Sequence, residues 1–468
     1  VILLNVNIIK NELSFKRVDI PIDLAQEPSH CSKTVLLCGG AWQRCCRSGI
    51  IPRFAELHDR PGLQTAAHPC RSKITLMKLL TFSTLFPNAQ RPNHGIFVET
   101  RLRYLLASNQ VSSRVVAPVP WFPFSHPRFG LYASYAQVPA FEQRNGIEVC
   151  HPRYPVIPKV GMVPAPALLA GAMKSTLGRI IDEGYDFDVI DAHYFYPDGV
   201  AAVMLGRYFN KPVVITARGT DINLVPQYRL PRRMIRWAAG HAAGMITVCN
   251  ALKDEMVGLG IDGERITPLR NGVNLELFQP GDRAALRSEL GMEGFTLMSV
   301  GHLEPRKGHE LPIQALPGMP DVHLWIAGSG PDRAKLEELA ERIGVQDRVR
   351  FLGPLPQSEL RRYYGGADAL VLASSREGWA NVLLESMACG TPVIASNVWG
   401  TPEVVAAPEA GVLMPERTPD GVAAALRQLR ANYPSHEATR RYAERFSWDD
   451  TTQGQIELFQ KVAGQGRA

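Results

Sequence analysis

Two carboxylates, Glu377 and Glu385, stand eight positions apart in the segment SSREGWANVLLESMACGTPVIAS, Ser374 to Ser396. Glu377 falls in a short polar loop. Glu385 falls inside an apolar run that reads as a helix, which Ala388-Cys-Gly-Thr-Pro ends abruptly. A helix opening beside Glu377 aims its free N–H groups and the positive end of its dipole at the same space. That combination suits a bound diphosphate together with a sugar whose hydroxyls need acceptors, and carboxylates are the strongest acceptors available. Two helical turns rise about 11 Å, so one acid can meet the sugar while the other meets a ribose. Gly378 permits close backbone approach, and Trp379, Ala380, Asn381 and Val382 complete the loop and the helix opening. Taken alone, two acids at this spacing are more often surface charges; their context makes them informative.

Four other segments carry polar groups that could converge on such a ligand. GHLEPRKG, Gly301 to Gly308, follows a strand pattern and precedes a helical one. At the carboxyl end of a parallel strand such a loop faces the ligand crevice. Gly301 would let a phosphate near the backbone, and Arg306 and Lys307 would neutralise charge growing on a departing diphosphate. In FPNAQRPNHGIFVE, Phe86 to Glu99, Gly95 opens a helix whose N-terminus could hold phosphate oxygens; the pattern is not the GxGxxG dinucleotide fingerprint. DVIDAHYFYPDG places His193 just past a strand, where it can bond a sugar hydroxyl, although a lone histidine there is commonly a satisfied structural group. ARGTDIN offers Arg218, Thr220 and Asp221 on the same rim as acceptor-side contacts, with turn capping the alternative for Asp221.

The elements that must position these residues alternate from Met77 onward as strand and helix, the pattern of an α/β fold with parallel sheets. Strands are expected at Lys78–Ser83, Ser113–Ala117, Val189–Ala192, Val213–Ala217 and Met245–Val248. A second set is expected at Thr296–Val300, His323–Ala327, Val349–Leu352, Ala369–Leu372 and Pro392–Ala395. Asn271 to Pro280 reads as a linker and Trp448 to Val462 as a final helix. Pro118 to Pro166 reads as a long irregular excursion that shapes a cleft.

A chain of 468 residues is too long for one ordinary core. Two domains are expected, residues 77–270 and 271–447, followed by a final helix within residues 448–468. Residues 1–76 contain no Met and show little periodicity; they read as a non-native or poorly ordered N-terminal extension ahead of a start at Met77. Five of the eight cysteines fall in that segment, and Cys150, Cys249 and Cys389 lack metal-ligand spacing. Buried thiols in a reducing, cytoplasmic setting are expected, with no metal. The net charge is +6, concentrated in residues 77–270, where 21 Lys and Arg face 14 Asp and Glu. This suits an anionic surface or acidic acceptor better than nucleic acid. Tyr228 to Ala242 alternates arginines with Leu230, Met234, Ile235 and Trp237. It could bind an anionic membrane from the inner face as an amphipathic helix, or simply pack on its own sheet. No apolar run is long enough to span a membrane.

These five pieces, in this order, resemble the GT-B glycosyltransferases of the retaining family-4 type. The resemblance covers roughly Met77 to Val462. Its most specific part is the E-x7-E motif preceded by the RKG loop, while FPN…HGIF and ARGTDIN look like the bacterial branch that builds exopolysaccharide or teichuronic acid. It implies a GT-B fold in which residues 77–270 and 271–447 are two Rossmann-like domains facing one cleft and residues 448–468 cross back to the first, with a nucleotide-diphospho-sugar donor held mainly by the C-terminal domain. A glycan or lipid-linked acceptor would be held mainly by the N-terminal domain. By position, Glu377 would contact donor-sugar hydroxyls and Glu385 the ribose. Arg306 and Lys307 would bind the diphosphate, and His193 would lie beside the sugar. Gly95 would lie in the N-terminal glycine loop, which has one glycine where many relatives have two. No cofactor beyond the donor is implied. A nucleotide-sugar 2-epimerase of the same architecture, or a non-catalytic nucleotide-sugar binder, is the alternative.

Overall fold

The computed structural model describes residues 76–465, apart from residues 127, 129 and 158–160. The expected extension at residues 1–76 therefore lies, except for its last residue, outside the described residues.

Two sheets organise the described chain. The strands of the first half are β1 (Met77–Phe82), β2 (Val111–Val116), β3 (Val119–Pro120), β4 (Phe141–Arg144), β5 (Ile147–Cys150), β6 (Arg153–Tyr154), β7 (Val189–His193), β8 (Val213–Ala217), β9 (Gly244–Thr247) and β10 (Ile266–Pro268). Eight of them form one sheet in the order β10-β9-β8-β7-β1-β2-β5-β4, parallel throughout except for the β4–β5 pair. The second half supplies β11 (Phe295–Val300), β12 (Val322–Ala327), β13 (Val349–Gly353), β14 (Ala369–Leu372), β15 (Val393–Ser396) and β16 (Gly411–Met414). These form an all-parallel sheet in the order β13-β12-β11-β14-β15-β16. Central strands such as β7 and β8 are buried along their whole length, as expected when helices cover both faces of a parallel sheet. The expected α/β architecture with parallel sheets is what is found.

The chain reverses its winding between β1 and β7 in the first sheet and between β11 and β14 in the second. Ligands of doubly wound sheets bind outside the carboxyl ends of strands at such switch points. Ser83, Thr84 and His193 stand at the first; Gly301 and the loop from Ser374 to Ala380 stand at the second. The helix Asp449–Gln465 returns to the first sheet, where Ile456, Phe459 and Val462, three residues apart, join Leu79, Val98, Leu102 and Val214 in one core.

The stretch from Pro118 to Pro166 corrects the expectation of an irregular excursion. It holds the β4–β5 hairpin at the sheet edge, the helix Leu131–Ala136 and the two-stranded β3–β6 pairing. Asn145 and Gly146, both at positive φ (48° and 80°), make its two-residue turn, the backbone that Asn-Gly favours. The basic helix Arg229–His241 packs Pro231, Ile235, Ala238 and Ala239 inside, while Met234 and Trp237 are half-buried and Leu230 is exposed. Among the described residues no helix is long and apolar enough to cross a membrane. Cys150, Cys249 and Cys389 are free thiols.

Candidate active site

The loop after β14 carries Glu377, and the loop after β11 carries Gly301, Arg306 and Lys307. The β11–β14 pairing brings the two loops together. Lys307 Nζ donates to Glu377 Oε1 at 2.7 Å, and Arg306 Nη1 lies 3.6 Å from the same oxygen. Arg306 is held in place by Glu304 (2.7 and 3.0 Å) and by the Arg376 carbonyl (3.0 Å). Burial pushes the Glu377 carboxyl up, but the neighbouring cations outweigh it, so its pKa is lowered from 4.5. The result is a buried, ionised acceptor held between two cations. The stem of Lys307 lies along Gly301, whose side-chain direction it fills at 3.4 Å.

Glu385 has different surroundings. It lies on the helix Asn381–Ala388, where Gln357 Nε2 donates to Oε1 (2.9 Å) and Tyr364 Oη to Oε2 (3.3 Å). Both of these donors are neutral, and burial raises its pKa from 4.5 to about 7. The sequence motif thus resolves into two separate environments. Trp379 and Ala380 are buried and Asn381 and Val382 half-buried, with the Trp379 ring 6.1 Å from Phe446.

On the facing sheet, Gly95 opens the helix Ile96–Ala107 at φ 70°. A Cβ there would lie 2.3 Å from the Leu85 carbonyl oxygen, so glycine is required. His193 and Arg218, expected on an open rim, are buried and bonded to each other: Arg218 Nη2 donates to His193 Nδ1 at 2.7 Å. A guanidinium only donates, so Nδ1 accepts and the ring proton sits on Nε2, 3.1 Å from Asp191 Oδ2. Burial, with Arg218 adding to it, lowers the His193 pKa to about 4, which keeps the ring neutral. Asp221 is a loop clamp: its oxygens accept from the backbone N–H groups of Phe195 (2.6 Å), Gly219 (2.7 Å) and Arg218 (3.1 Å). Turn capping is therefore what this aspartate does here. Thr220 begins the short helix Thr220–Asn223.

The two halves meet at this site. Arg218 Nη1 donates to Asn271 Oδ1 (3.2 Å), and Asn271 Nδ2 donates to Asn381 Oδ1 (3.2 Å). A chain of side chains thus runs from His193 to the first turn of the helix that carries Glu385. A Cβ on Gly378 would lie 2.1 Å from the Arg218 carbonyl oxygen, so the close approach this glycine permits is to the opposite half of the protein. Sequence reasoning missed Asn271, Gln357, Tyr364 and Asp191. Asp191 lay inside a segment already singled out, two residues before His193 and so on the same strand face. The others carry no local signature. Among the described residues no group of three or more His, Cys, Asp or Glu is disposed to hold a metal ion.

The family model for glycosyl transferases group 1 matches residues 283–446, and that for Glycosyltransferase Family 4 matches residues 100–277. The D-inositol 3-phosphate glycosyltransferase of Corynebacterium urealyticum is 30% identical over 325 residues, 64% of this chain and 77% of its own length. That of Mycolicibacterium gilvum is 31% identical over 320 residues, 64% of this chain and 72% of its own. Among solved structures, sucrose-phosphate synthase from Thermosynechococcus elongatus superposes with a TM-score of 0.69 at 21% identity, covering 84% of this chain and all (100%) of that one. HepE from Anabaena, solved in complex with UDP-glucose, superposes with a TM-score of 0.60 at 18% identity, covering 82% and 98%. With both halves matched in order and the double-sheet fold shared, the chain belongs to the family-4-type GT-B glycosyltransferases and is an enzyme of that family.

Proposed function

We propose that the chain moves a hexosyl group from a nucleotide-diphospho-sugar to a hydroxyl of a glycan or lipid-linked acceptor, retaining anomeric configuration, in bacterial surface polysaccharide synthesis. The observation that carries this reading is the Lys307–Glu377 pair, with Arg306 beside it, at the β11–β14 switch point. Lys307 and Arg306 would meet the diphosphate while Glu377 accepts from a sugar hydroxyl. As the bond from the anomeric carbon to the diphosphate breaks, its electron pair goes to the leaving oxygen, and the two cations stabilise that charge in place of a metal ion. The acceptor oxygen bonds to the anomeric carbon on the same face, and the departing phosphate takes its proton. The helix Asn381–Ala388 would place Glu385 near the ribose. HepE bound to UDP-glucose supports a nucleotide-sugar donor, and relatives named for D-inositol 3-phosphate support a hydroxyl acceptor.

A thermal-shift panel of UDP-, GDP-, ADP- and dTDP-sugars tests the donor, since binding to the folded state raises its melting point. The reading expects free nucleotide to appear only with acceptor, and a product whose anomeric coupling matches the donor. Epimerised sugar without acceptor, or binding without turnover, would replace it by one of the alternatives.

Peripheral membrane contact is a second proposal on a separate observation. Arg229, Arg232, Arg233 and Arg236 are exposed on a helix that packs Ile235, Ala238 and Ala239 inside and leaves Leu230 exposed beside them. The contact would be mainly electrostatic, worth about 1 kcal/mol per cation near an anionic surface, with the exposed Leu230 adding apolar contact. Flotation with anionic vesicles should fail for the Arg232→Glu/Arg233→Glu variant; unchanged flotation would remove this helix as the anchor.

A further inference from the structure

The helix Asn250–Gly258 follows β9 in the first half and has no cap of its own, because Cys249, at the capping position, supplies no side-chain hydrogen bond. The first N–H groups of a helix have no intrahelical partner. Here they are met from the other half of the protein. Glu403, in the short helix Thr401–Val404 between β15 and β16, accepts from Asn250 N (3.1 Å), Asn250 Nδ2 (2.9 Å) and Ala251 N (3.0 Å). A carboxylate at a helix N-terminus is favourably placed by the dipole. The backbone leading into that helix touches the loop carrying Glu377. A Cβ on Gly400 would lie 2.3 Å from the Gly378 carbonyl oxygen and 3.0 Å from Cys249 Sγ, so it threads between the two. Trp399, just before it, is held at φ 48°, a conformation that persists in a bulky residue only when its surroundings impose it.

We propose that Glu403 is a positioning residue for glycosyl transfer. Its contact with the helix Asn250–Gly258 clasps the halves together, so that the loop carrying Glu377 and Gly378 stays against the loop carrying Arg218 and Gly219. The inference deepens the proposed function and rests on it. Glu403 is not in the donor-contact set, and every proposed donor contact except Gly95 and His193 lies on the second half. The clasp therefore acts on the assembly of donor and acceptor sides, and on kcat more than on donor affinity.

The test uses Glu403→Gln and Asn250→Ala in the full chain, read three ways. In Glu403→Gln, hydrogen exchange at the Asn250 and Ala251 amides should speed up, kcat should fall roughly tenfold, comparable to losing a good helix cap, and donor affinity by thermal shift should stay within about threefold. Asn250→Ala, which keeps both backbone donors, should lose less. The double variant should lose no more than Glu403→Gln alone, because both residues serve one contact. Unchanged amide exchange, faster exchange with unchanged kcat, or a donor affinity that falls in step with kcat would each overturn the proposal. Failure of the functional reading looks different: wild-type protein that releases no nucleotide with any donor while those amides remain protected.

Discussion

Glu377 and Glu385 have nearly identical chemistry, lie eight residues apart and are both buried, yet their environments pull in opposite directions. Glu377 faces Lys307 at 2.7 Å and Arg306 at 3.6 Å and is held ionised. Glu385 faces an amide and a phenol, and burial holds it half-protonated near pH 7. The first is built to stay charged, pinned between two cations. The second switches with pH. A motif that reads as one symmetric pair is physically an anchored charge and a titratable one.

The largest effects should come from breaking the anchored charge. Lys307→Ala or Glu377→Gln is expected to lower turnover at least about 100-fold, close to 2.7 kcal/mol of barrier, measured as acceptor-dependent nucleotide release. Lys307→Ala should also raise the Glu377 pKa, because the nearest of the groups that oppose burial is removed. Wild-type turnover in either variant would remove that residue from the site. Next in size is Gly378→Ala. Its Cβ meets the Arg218 carbonyl at 2.1 Å, so the Glu377 loop must retreat from the first half while the helix bearing Glu385 keeps its place. Turnover should fall roughly 30-fold, about 2 kcal/mol, with donor binding by thermal shift largely kept. A loss of donor binding as large as that of turnover would show that Gly378 serves the donor instead.

The site's positions were legible in the sequence where the chain repeats a local rule. β11 and β14 fall where apolar runs ended in glycine or polar residues, with Gly301 directly after the first and Glu377 in the loop after the second. The β4–β5 hairpin escaped because its outer strand alternates exposed and half-buried residues, with no apolar face. Yet Asn145-Gly146 was a usable turn signal within the proline-rich stretch. The inward turning of His193, Arg218 and Asp221 was illegible for another reason. Each side chain satisfies a buried partner on a different element, and such pairings depend on how strands align in space. Asn271 and Glu403, contacts between the halves, are single residues whose partners across the divide, Arg218 and Asn250, lie 53 and 153 positions away.

Glutamine substitution at both acids sharpens the comparison, because the stability changes should carry opposite pH signatures. Glu377 has its folded pKa below 4.5, so its contribution is present above pH 4.5 and lost as pH falls through the folded value. Glu377→Gln should therefore destabilise at pH 8 and less so at low pH. Glu385 is raised from 4.5 to about 7. The folded state binds more protons in that window, so its contribution is full below pH 4.5 and is lost as pH rises through about 7. Glu385→Gln should be close to neutral at pH 4.5 and stabilising relative to wild type at pH 8, by on the order of 2 kcal/mol. Urea titrations at the two pH values measure both signs; the same sign for both variants would dissolve the distinction.

The smallest effect tunes the titratable acid without removing it. Tyr364 Oη donates to Glu385 Oε2 at 3.3 Å, a long bond to a buried carboxylate, and it favours the ionised form. Tyr364→Phe deletes that bond and leaves Gln357 as the remaining partner. The Glu385 pKa should rise further, by less than about one unit, which is under about 1.4 kcal/mol. The midpoint of the wild-type stability loss, obtained by subtracting Glu385→Gln data at each pH, should move to higher pH in the Tyr364→Phe background. A midpoint that moves down, or stays put, would mean that burial alone sets this acid and that the phenol only fills space beside it.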